Sequence, residues 1–335
     1  MSTSVFVNRQ RPVLLALGMV MLASMLAMVS GQGQNDAARK AMKKLEPYAG
    51  SFTFKGKLDM GVFGQPGVKI EFPGTAKNQM VLGGTGEISV AQTETQSIGY
   101  MGYRSDTNQY YYLGLDGNQT AISYMAGNFT RPDFMKLTDP TTQVTSETRY
   151  GKDGSSESTI RIPPEQAVMM EIRSTRVGKK TGDILKELTS GPVKPARINR
   201  KADSLNPAEN FSRSHLLLQK FCGDFTSNKG EKIASRMVGD GRYVLTHGTS
   251  PTESLSFMGY NNAGRFFQSM LVSPELPMPI YLQGNMKEDG SILLEDPFNP
   301  AGLKVQWTFG DDGGFSMTAT MGGQVVDQKS WKKTE

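Results

Sequence analysis

The strongest constraint on this chain is an internal repeat with a spacing of 157 residues. Four groups of residues recur at this one spacing, which chance does not readily produce. The pairs are Gly84 with Gly241, Met101-Gly102-Tyr103 with Met258-Gly259-Tyr260, Tyr124 and Gly127-Asn128 with Tyr281 and Gly284-Asn285, and Asp139-Pro140 with Asp296-Pro297. A further match, 45–53 with 218–226, marks the start of each copy. The sequence therefore predicts two similar domains with these residues at equivalent positions.

Each copy carries the pattern of strands joined by tight turns. In the second copy, Val305, Trp307 and Phe309 alternate with polar residues, as in a strand with one buried face. Asp-Gly pairs at 153–154 and 312–313 follow strand-like runs and tolerate the positive φ of a hairpin turn. Tyr110 and Tyr112 are expected on one face of a strand, with the intervening tyrosine on the other. These features predict an all-β fold, either sandwich or barrel.

The repeat also sets the domain boundaries. The first copy spans 41–176 and the second spans 213–335. Between them, 177–212 is rich in Lys, Arg and Pro, which predicts a basic linker, and 182–188 is compatible with a short helix. Such a basic stretch suits either an anionic surface or, more commonly, a solvated connector.

The N-terminus has the anatomy of a secretory leader. Arg9 and Arg11 precede an apolar run from Val13 to Val29, and small residues allow cleavage before Gln32. We therefore predict a signal peptide over 1–31 and export to the periplasm or the extracellular space. The apolar run reaches the lower limit of about 17 residues for a membrane span, so an uncleaved N-terminal anchor stays open as the alternative.

The order of Leu, Gly, aromatic and Asp-Pro positions in both copies resembles the bacterial family of domains of unknown function numbered 1579. In the first copy the elements are Leu45, Gly50 and Phe52, Leu82-Gly83-Gly84, Gly102-Tyr103, 110–112, Gly127, Asp139-Pro140 and 170–176. The resemblance covers most of the chain after the leader and implies a lipocalin-like antiparallel β-barrel for each copy. Family members typically follow Gly-Tyr with Asp, whereas this chain has Arg104 and Asn261. The resemblance implies a fold and no catalytic residue.

The sequence shows no catalytic, metal or cofactor motif. It lacks His-Glu-x-x-His, a Gly-x-Ser-x-Gly elbow, a phosphate loop and a dinucleotide fingerprint, so no enzyme activity, metal or cofactor is predicted. Cys222 lies in an apolar run and is expected to be a buried, inert thiol. The net charge is +5, of which the leader supplies two charges, and the remainder is too weak to predict a nucleic-acid partner.

Three classes of function follow from these expectations. The first is a non-enzymatic module that binds a small apolar or amphipathic ligand, because eight-stranded barrels can enclose one. The second is a structural or protein-interaction component of the cell envelope with filled barrels, and the third is an unrecognised enzyme. Membrane contact is expected only with an uncleaved leader, and the sequence identifies no protein partner. The hypothesised ligand-binding residues are Tyr103, Tyr112, Tyr124, Tyr260, Phe267 and Tyr281.

Overall fold

The computed structural model describes residues 35–117, 121–192, 213–262, 264–276, 278–299 and 301–334. The predicted signal peptide, its anchor alternative and the linker residues 193–212 lie outside the described residues. Within the described ranges, no helix is long and apolar enough to cross a membrane.

Two closed antiparallel barrels of ten strands each follow one another along the chain, which confirms the predicted all-β fold. The first barrel contains β1 (Gly50–Asp59), β2 (Lys69–Val81), β3 (Gly86–Gln92), β4 (Gln96–Arg104), β5 (Gln109–Asp116), β6 (Ser123–Arg131), β7 (Phe134–Thr138), β8 (Thr145–Tyr150), β9 (Ser156–Ile162) and β10 (Ala167–Gly178). The second contains β11 (Gly223–Ser227), β12 (Lys232–Val238), β13 (Tyr243–Gly248), β14 (Ser254–Asn261), β15 (Phe266–Val272), β16 (Ile280–Met286), β17 (Ile292–Glu295), β18 (Leu303–Phe309), β19 (Phe315–Met321) and β20 (Gln324–Lys333). Ten strands enclose a wider interior than eight do.

Short helices lie before each barrel and between them. A helical segment at 35–42 and the 3-10 turn Glu46–Tyr48 precede β1, while Arg213–Leu218 and the 3-10 turn Gln219–Phe221 precede β11. The helix Ile184–Thr189 follows β10 and overlaps 182–188, where the sequence favours a helix. Its N-cap is Asp183, whose carboxylate accepts a hydrogen bond from the Lys186 amide at 3.0 Å.

The paired residues of the repeat occupy equivalent strands, as predicted. Tyr103 on β4 lies opposite Tyr110, and Tyr260 on β14 lies opposite Phe267. Tyr124 on β6 and Tyr281 on β16 also match in register, since each pairs with an apolar residue of the preceding strand. The two Asp-Pro pairs both follow the seventh strand of their barrel, where each Asp side chain accepts backbone N–H groups of the turn.

The motif that opens each copy closes one end of its barrel. Leu45 is 2% exposed and Leu218 is fully buried. The Tyr48 ring lies 4.4 Å from that of Tyr150, and the equivalent Phe221 ring lies 4.9 Å from that of Phe309. We call this end, which also carries the β2–β3 and β4–β5 turns in the first barrel, the closed end. The spacing shared by 45–53 and 218–226 therefore belongs to a segment that plugs one end of each barrel.

The barrels pack against each other through the same outward face. Their shared apolar cluster takes residues from β3 to β5 of the first copy and from β13 to β15 of the second. The rings of Tyr100 and Phe257, which are equivalent in the repeat, meet at 5.9 Å. Contact through one self-complementary patch is the geometry of an isologous dimer, here within a single chain.

Polar contacts run between opposite ends of the two barrels. The Asp240 carboxylate accepts a hydrogen bond from the Gln96 amide at 3.0 Å, and the Gln96 side chain accepts one from the Gly239 amide at 3.1 Å. Arg242 donates to the Gly117 carbonyl at 2.6 Å. Residues 239–242 belong to the closed end of the second barrel, whereas the Gln96 and Gly117 loops lie at the far end of the first. The two barrels are therefore antiparallel to each other.

Candidate functional site

Large apolar side chains fill the interior of the second barrel. In a closed barrel, directly opposed residues on neighbouring strands share a face, so the strand register identifies the inward positions. Phe225, Phe315 and Trp331 point inward and are 1%, 5% and 6% exposed. The Phe315 ring lies 4.8 Å from Phe225, 5.6 Å from Trp307 and 5.3 Å from Trp331. This packing leaves the second barrel with a conventional core.

The first barrel carries small hydroxyl side chains at the positions of those large residues. Strand pairing aligns β8 with β18, β9 with β19 and β10 with β20. The inward residues Ser146, Thr148, Ser156, Ser158 and Ser174 of the first barrel correspond to Val305, Trp307, Phe315, Met317 and Trp331 of the second. All five hydroxyl residues are only partly buried. We define the lumen as the space enclosed by the inward residues of β1 to β10, where these small side chains stand in place of the bulky ones of the second barrel.

Aromatic rings that face this lumen lie against its wall. Phe72 lies over Gly56 on the neighbouring strand, so that a Cβ on Gly56 would be 2.1 Å from the ring. Phe54 covers Gly74 in the same way, at 2.2 Å. Tyr112 lies over two glycines, Gly99 and Gly114. Because these inward positions lack a Cβ, the rings lie close against the wall of the barrel.

Glu87 is a buried carboxylic acid at the inward face of β3. It lies directly opposite Met80 and Met101, whereas its neighbour Ile88 points outward into the cluster between the barrels. Its side chain is buried, and Oε2 has no hydrogen-bond partner among the described residues. Burial raises the pKa of Glu87 from 4.5 to about 8. The equivalent residue of the second barrel, at the spacing of 157, is Val244.

Tyrosine rings surround the closed end of the lumen near this acid. Tyr110, Tyr112 and Tyr150 belong to one cluster with Met80 and Met101, the cross-strand neighbours of Glu87. Burial raises the pKa of both Tyr110 and Tyr112 to about 12. Burial, and next the charge of Glu87, raise the pKa of Tyr150. The closed end thus combines one acid, several neutral phenols and thioethers.

The six residues hypothesised from sequence fall into three environments. Tyr103 and Tyr112 face the interior of the first barrel, and Tyr103 makes an edge contact with Tyr110 at 5.1 Å. Tyr260 and Phe267 face the packed interior of the second barrel, where their rings meet at 5.0 Å.

The remaining two residues of that set, Tyr124 and Tyr281, point outward. Both pack against the cluster between the barrels, and the Tyr124 ring stacks on Tyr111 at 6.4 Å. Alternation along β6 turns Met125 inward and Tyr124 outward, because Met125 lies opposite the inward Tyr112. Sequence reasoning missed Glu87, Phe54, Phe72 and the hydroxyl wall.

Two cavities lie outside the lumen. One, of about 290 Å³, lies between the barrels and includes Arg236 and Asp240. Arg236 pairs with the Asp224 carboxylate at 2.9 Å, and the Asp240 carboxylate accepts from the Gln96 amide. The other, of about 430 Å³, is a groove outside the closed end lined by Lys40, Lys44 and Tyr103 among others. The first barrel's lumen is the better site because it contains a buried acceptor without a partner.

The remaining reactive groups are the Cys222 thiol and the side chains that could hold a metal ion. Cys222 is buried, as predicted, and burial raises the pKa of its thiol to about 12. In the described part of the chain, no group of three or more His, Cys, Asp or Glu side chains is arranged to hold a metal ion.

No protein-family model and no curated protein matches the chain. The resemblance to the family numbered 1579 therefore stays a prediction from the residues quoted above.

Proposed function

We propose that the protein is a non-enzymatic binding module whose first barrel takes a small amphipathic molecule into its lumen. The observation that carries this proposal is the replacement of the second barrel's core residues by hydroxyl side chains in the first. Phe54, Phe72 and Ile172 supply apolar surface in the lumen, while the hydroxyl wall and Glu87 supply polar contacts. A molecule with both kinds of surface matches this lining, since most ligand sites are largely apolar with a few polar groups.

The second barrel has a supporting role in this proposal. Its packed interior agrees with the alternative function considered from sequence, a structural or interaction component of the envelope with filled barrels. The two functions are compatible within one chain, because the shared cluster joins the filled barrel to the lumen-bearing one. A filled, well-packed neighbour adds buried contacts to the first barrel, whose own buried apolar cluster lies at its closed end.

Export belongs to the same proposal. The leader anatomy supports a mature chain that begins near Gln32 and acts in the periplasm or the extracellular space. N-terminal sequencing of the protein from its host tests this. A mature chain that retains 1–31 and sediments with membranes would establish the anchored alternative.

Filling the lumen by substitution tests the binding proposal. Thr148→Trp introduces the residue that the second barrel has at the equivalent position, Trp307. The matched control is Thr159→Trp, because Thr159 lies opposite the outward Glu147 on β8. The readout is the fluorescence of N-phenyl-1-naphthylamine, a neutral apolar probe that brightens in apolar surroundings.

We expect the native chain and Thr159→Trp to bind the probe, and Thr148→Trp to bind it at least tenfold more weakly while keeping its β circular dichroism spectrum. Equal binding by both tryptophan variants would place the probe outside the lumen. No binding by the native chain would reject the binding proposal in favour of the structural one.

A further inference from the structure

The closed end of the lumen has the composition of a cation site. Glu87 offers an acceptor oxygen without a partner, and Tyr110, Tyr112 and Tyr150 belong to the cluster around it. The faces of aromatic rings attract cations, and rings combined with a carboxylate form the usual recognition site for ammonium groups.

The charges of the inner wall favour a cation over an anion. Along the described strands of the first barrel, the inward charged residues are Glu87, Asp116 and Arg176, as given by the strand register. The Arg176 guanidinium lies against the plug, where Nη2 donates to the carbonyl oxygens of Pro47 and Ala49, while its buried Nε has no hydrogen-bond partner among the described residues. Asp116 lies at the opposite end of β5 from the tyrosines. The inner wall therefore has two acids and one cation, which the plug engages through Nη2.

The second barrel has different residues at the positions equivalent to Glu87 and Tyr112. Val244 replaces Glu87, and Ser269 replaces Tyr112. Both differences remove an element of the ammonium site from the barrel whose interior is filled. Burial of an acid without a partner costs free energy. The presence of such an acid in the first barrel, at a position where the second barrel has Val244, therefore points to a ligand that pairs with Glu87.

We infer that the ligand of the first barrel carries an alkylammonium group, which Glu87 and the surrounding tyrosine rings hold at the closed end while the apolar chain extends along Phe54 and Phe72. This inference rests on the proposed lumen function and specifies its ligand class. The protonated carboxyl gives up its proton when an ammonium group pairs with it, so binding at neutral pH releases protons. The other ionisable groups at this end are the phenols of Tyr48, Tyr103, Tyr110, Tyr112 and Tyr150, the guanidinium of Arg176 and the ammonium of Lys44, which lies over the Phe129 ring at 5.6 Å.

Three probes with one chain length and different head groups test the inference. Dodecylamine, dodecanol and dodecanoic acid are competed against N-phenyl-1-naphthylamine at pH 7, below their aggregation concentrations. The full chain is compared with Glu87→Gln, which keeps the shape and hydrogen bonding of the side chain without its charge. Glu157→Gln is the matched control, because Glu157 is an exposed outward acid of the same barrel whose carboxylate lies 3.4 Å from Arg173.

We expect the native chain and Glu157→Gln to bind dodecylamine at least tenfold more tightly than dodecanol. Glu87→Gln should lose this preference while its dodecanol binding changes less than threefold. Calorimetry in buffers of different ionisation enthalpy should show proton release with dodecylamine and none with dodecanol.

Equal affinities for the amine and the alcohol, or tightest binding of dodecanoic acid, would overturn the ammonium inference and leave the lumen function intact. Failure of all three probes and of the fluorescent probe to bind would instead overturn the proposed function itself. A preference for the amine that persists in Glu87→Gln would assign the cation site to other residues and refute the role of Glu87.

Discussion

Replacing Glu87 by Gln should make the stability of the protein less sensitive to pH. The folded state holds the carboxyl proton up to a pKa of about 8, whereas the ordinary value is 4.5. Because the folded-state pKa is raised, the folded form binds more protons between these values, and stability falls as pH rises through this window. Each tenfold change in the dissociation constant is worth about 1.4 kcal/mol, so the full loss reaches about 5 kcal/mol above pH 8.

The difference between the two proteins isolates this effect, since all other titrating groups are common to both. The loss is about 1 kcal/mol at pH 5 and approaches about 5 kcal/mol at pH 9, so the stability advantage of Glu87→Gln should widen by up to about 4 kcal/mol. This figure is an upper limit, because solvation of the carboxylate by any water that reaches it reduces the cost of its charge.

Urea unfolding at pH 5, 7 and 9 measures this effect, with circular dichroism reporting both barrels. Trp307 and Trp331 are the two tryptophans of the chain, so their fluorescence reports the second barrel alone. Glu157→Gln, on the outer surface, should follow the native pH dependence. If the unfolding free energies of the native chain and Glu87→Gln run parallel from pH 5 to pH 9, the reasoning about a buried, uncompensated acid is refuted.

Three further predictions address packing and the contact between the barrels. Phe267→Ala should destabilise the chain by about 3–5 kcal/mol because its ring is packed core, whereas Tyr112→Ala, on the lumen wall, should cost less than about 2 kcal/mol in urea unfolding; equal losses would mean that the first barrel is also filled. Gly56→Ala should push the Phe72 ring into the lumen and weaken binding of N-phenyl-1-naphthylamine at least tenfold, at about 1–3 kcal/mol of stability; unchanged affinity would contradict the ring-on-wall geometry. Asp240→Ala should lower stability by about 1–2 kcal/mol through loss of the bond to the Gln96 amide, and Asp240→Asn should retain most of it; thermal unfolding that ranks the two variants alike would show that the carboxylate oxygen is not the stabilising group.

The periodic features of the sequence were sufficient to predict the class of fold and its duplication. Alternation in β18 and the Asp-Gly turns depend on local backbone geometry, which sequence neighbours determine directly. The recurrence of Leu45 with Leu218 identified the start of each copy, although only the structure shows that these residues plug the barrels. The sequence could also have identified Glu87, since the common spacing aligns it with Val244. A charged residue aligned with an apolar residue indicates that the two positions have different environments.

The orientation of the predicted tyrosines required the strand register. Alternation states that Tyr124 and Met125 face opposite sides, but not which of the two faces the interior. That choice is made by the neighbouring strand, where the inward Tyr112 lies opposite Met125. The outward-facing residues of β3 to β5 then meet the second barrel, a contact between segments far apart in the chain that no local pattern encodes.

The contrast between a filled and an open barrel was hidden for a specific reason. From Gly84 to Asp139, equivalent residues of the two copies are 157 residues apart. The second copy then has a longer connection between its seventh and eighth strands, so Thr148 is equivalent to Trp307 at a spacing of 159. The spacing returns to 157 only at Ser174 and Trp331. A comparison at one fixed offset therefore misaligns β8 and β9, which carry four of the five hydroxyl residues. Local patterns and the internal repeat establish two copies of one β-rich unit, whereas only the pairing of strands in three dimensions shows which side chains share an interior, because those residues are far apart in the chain.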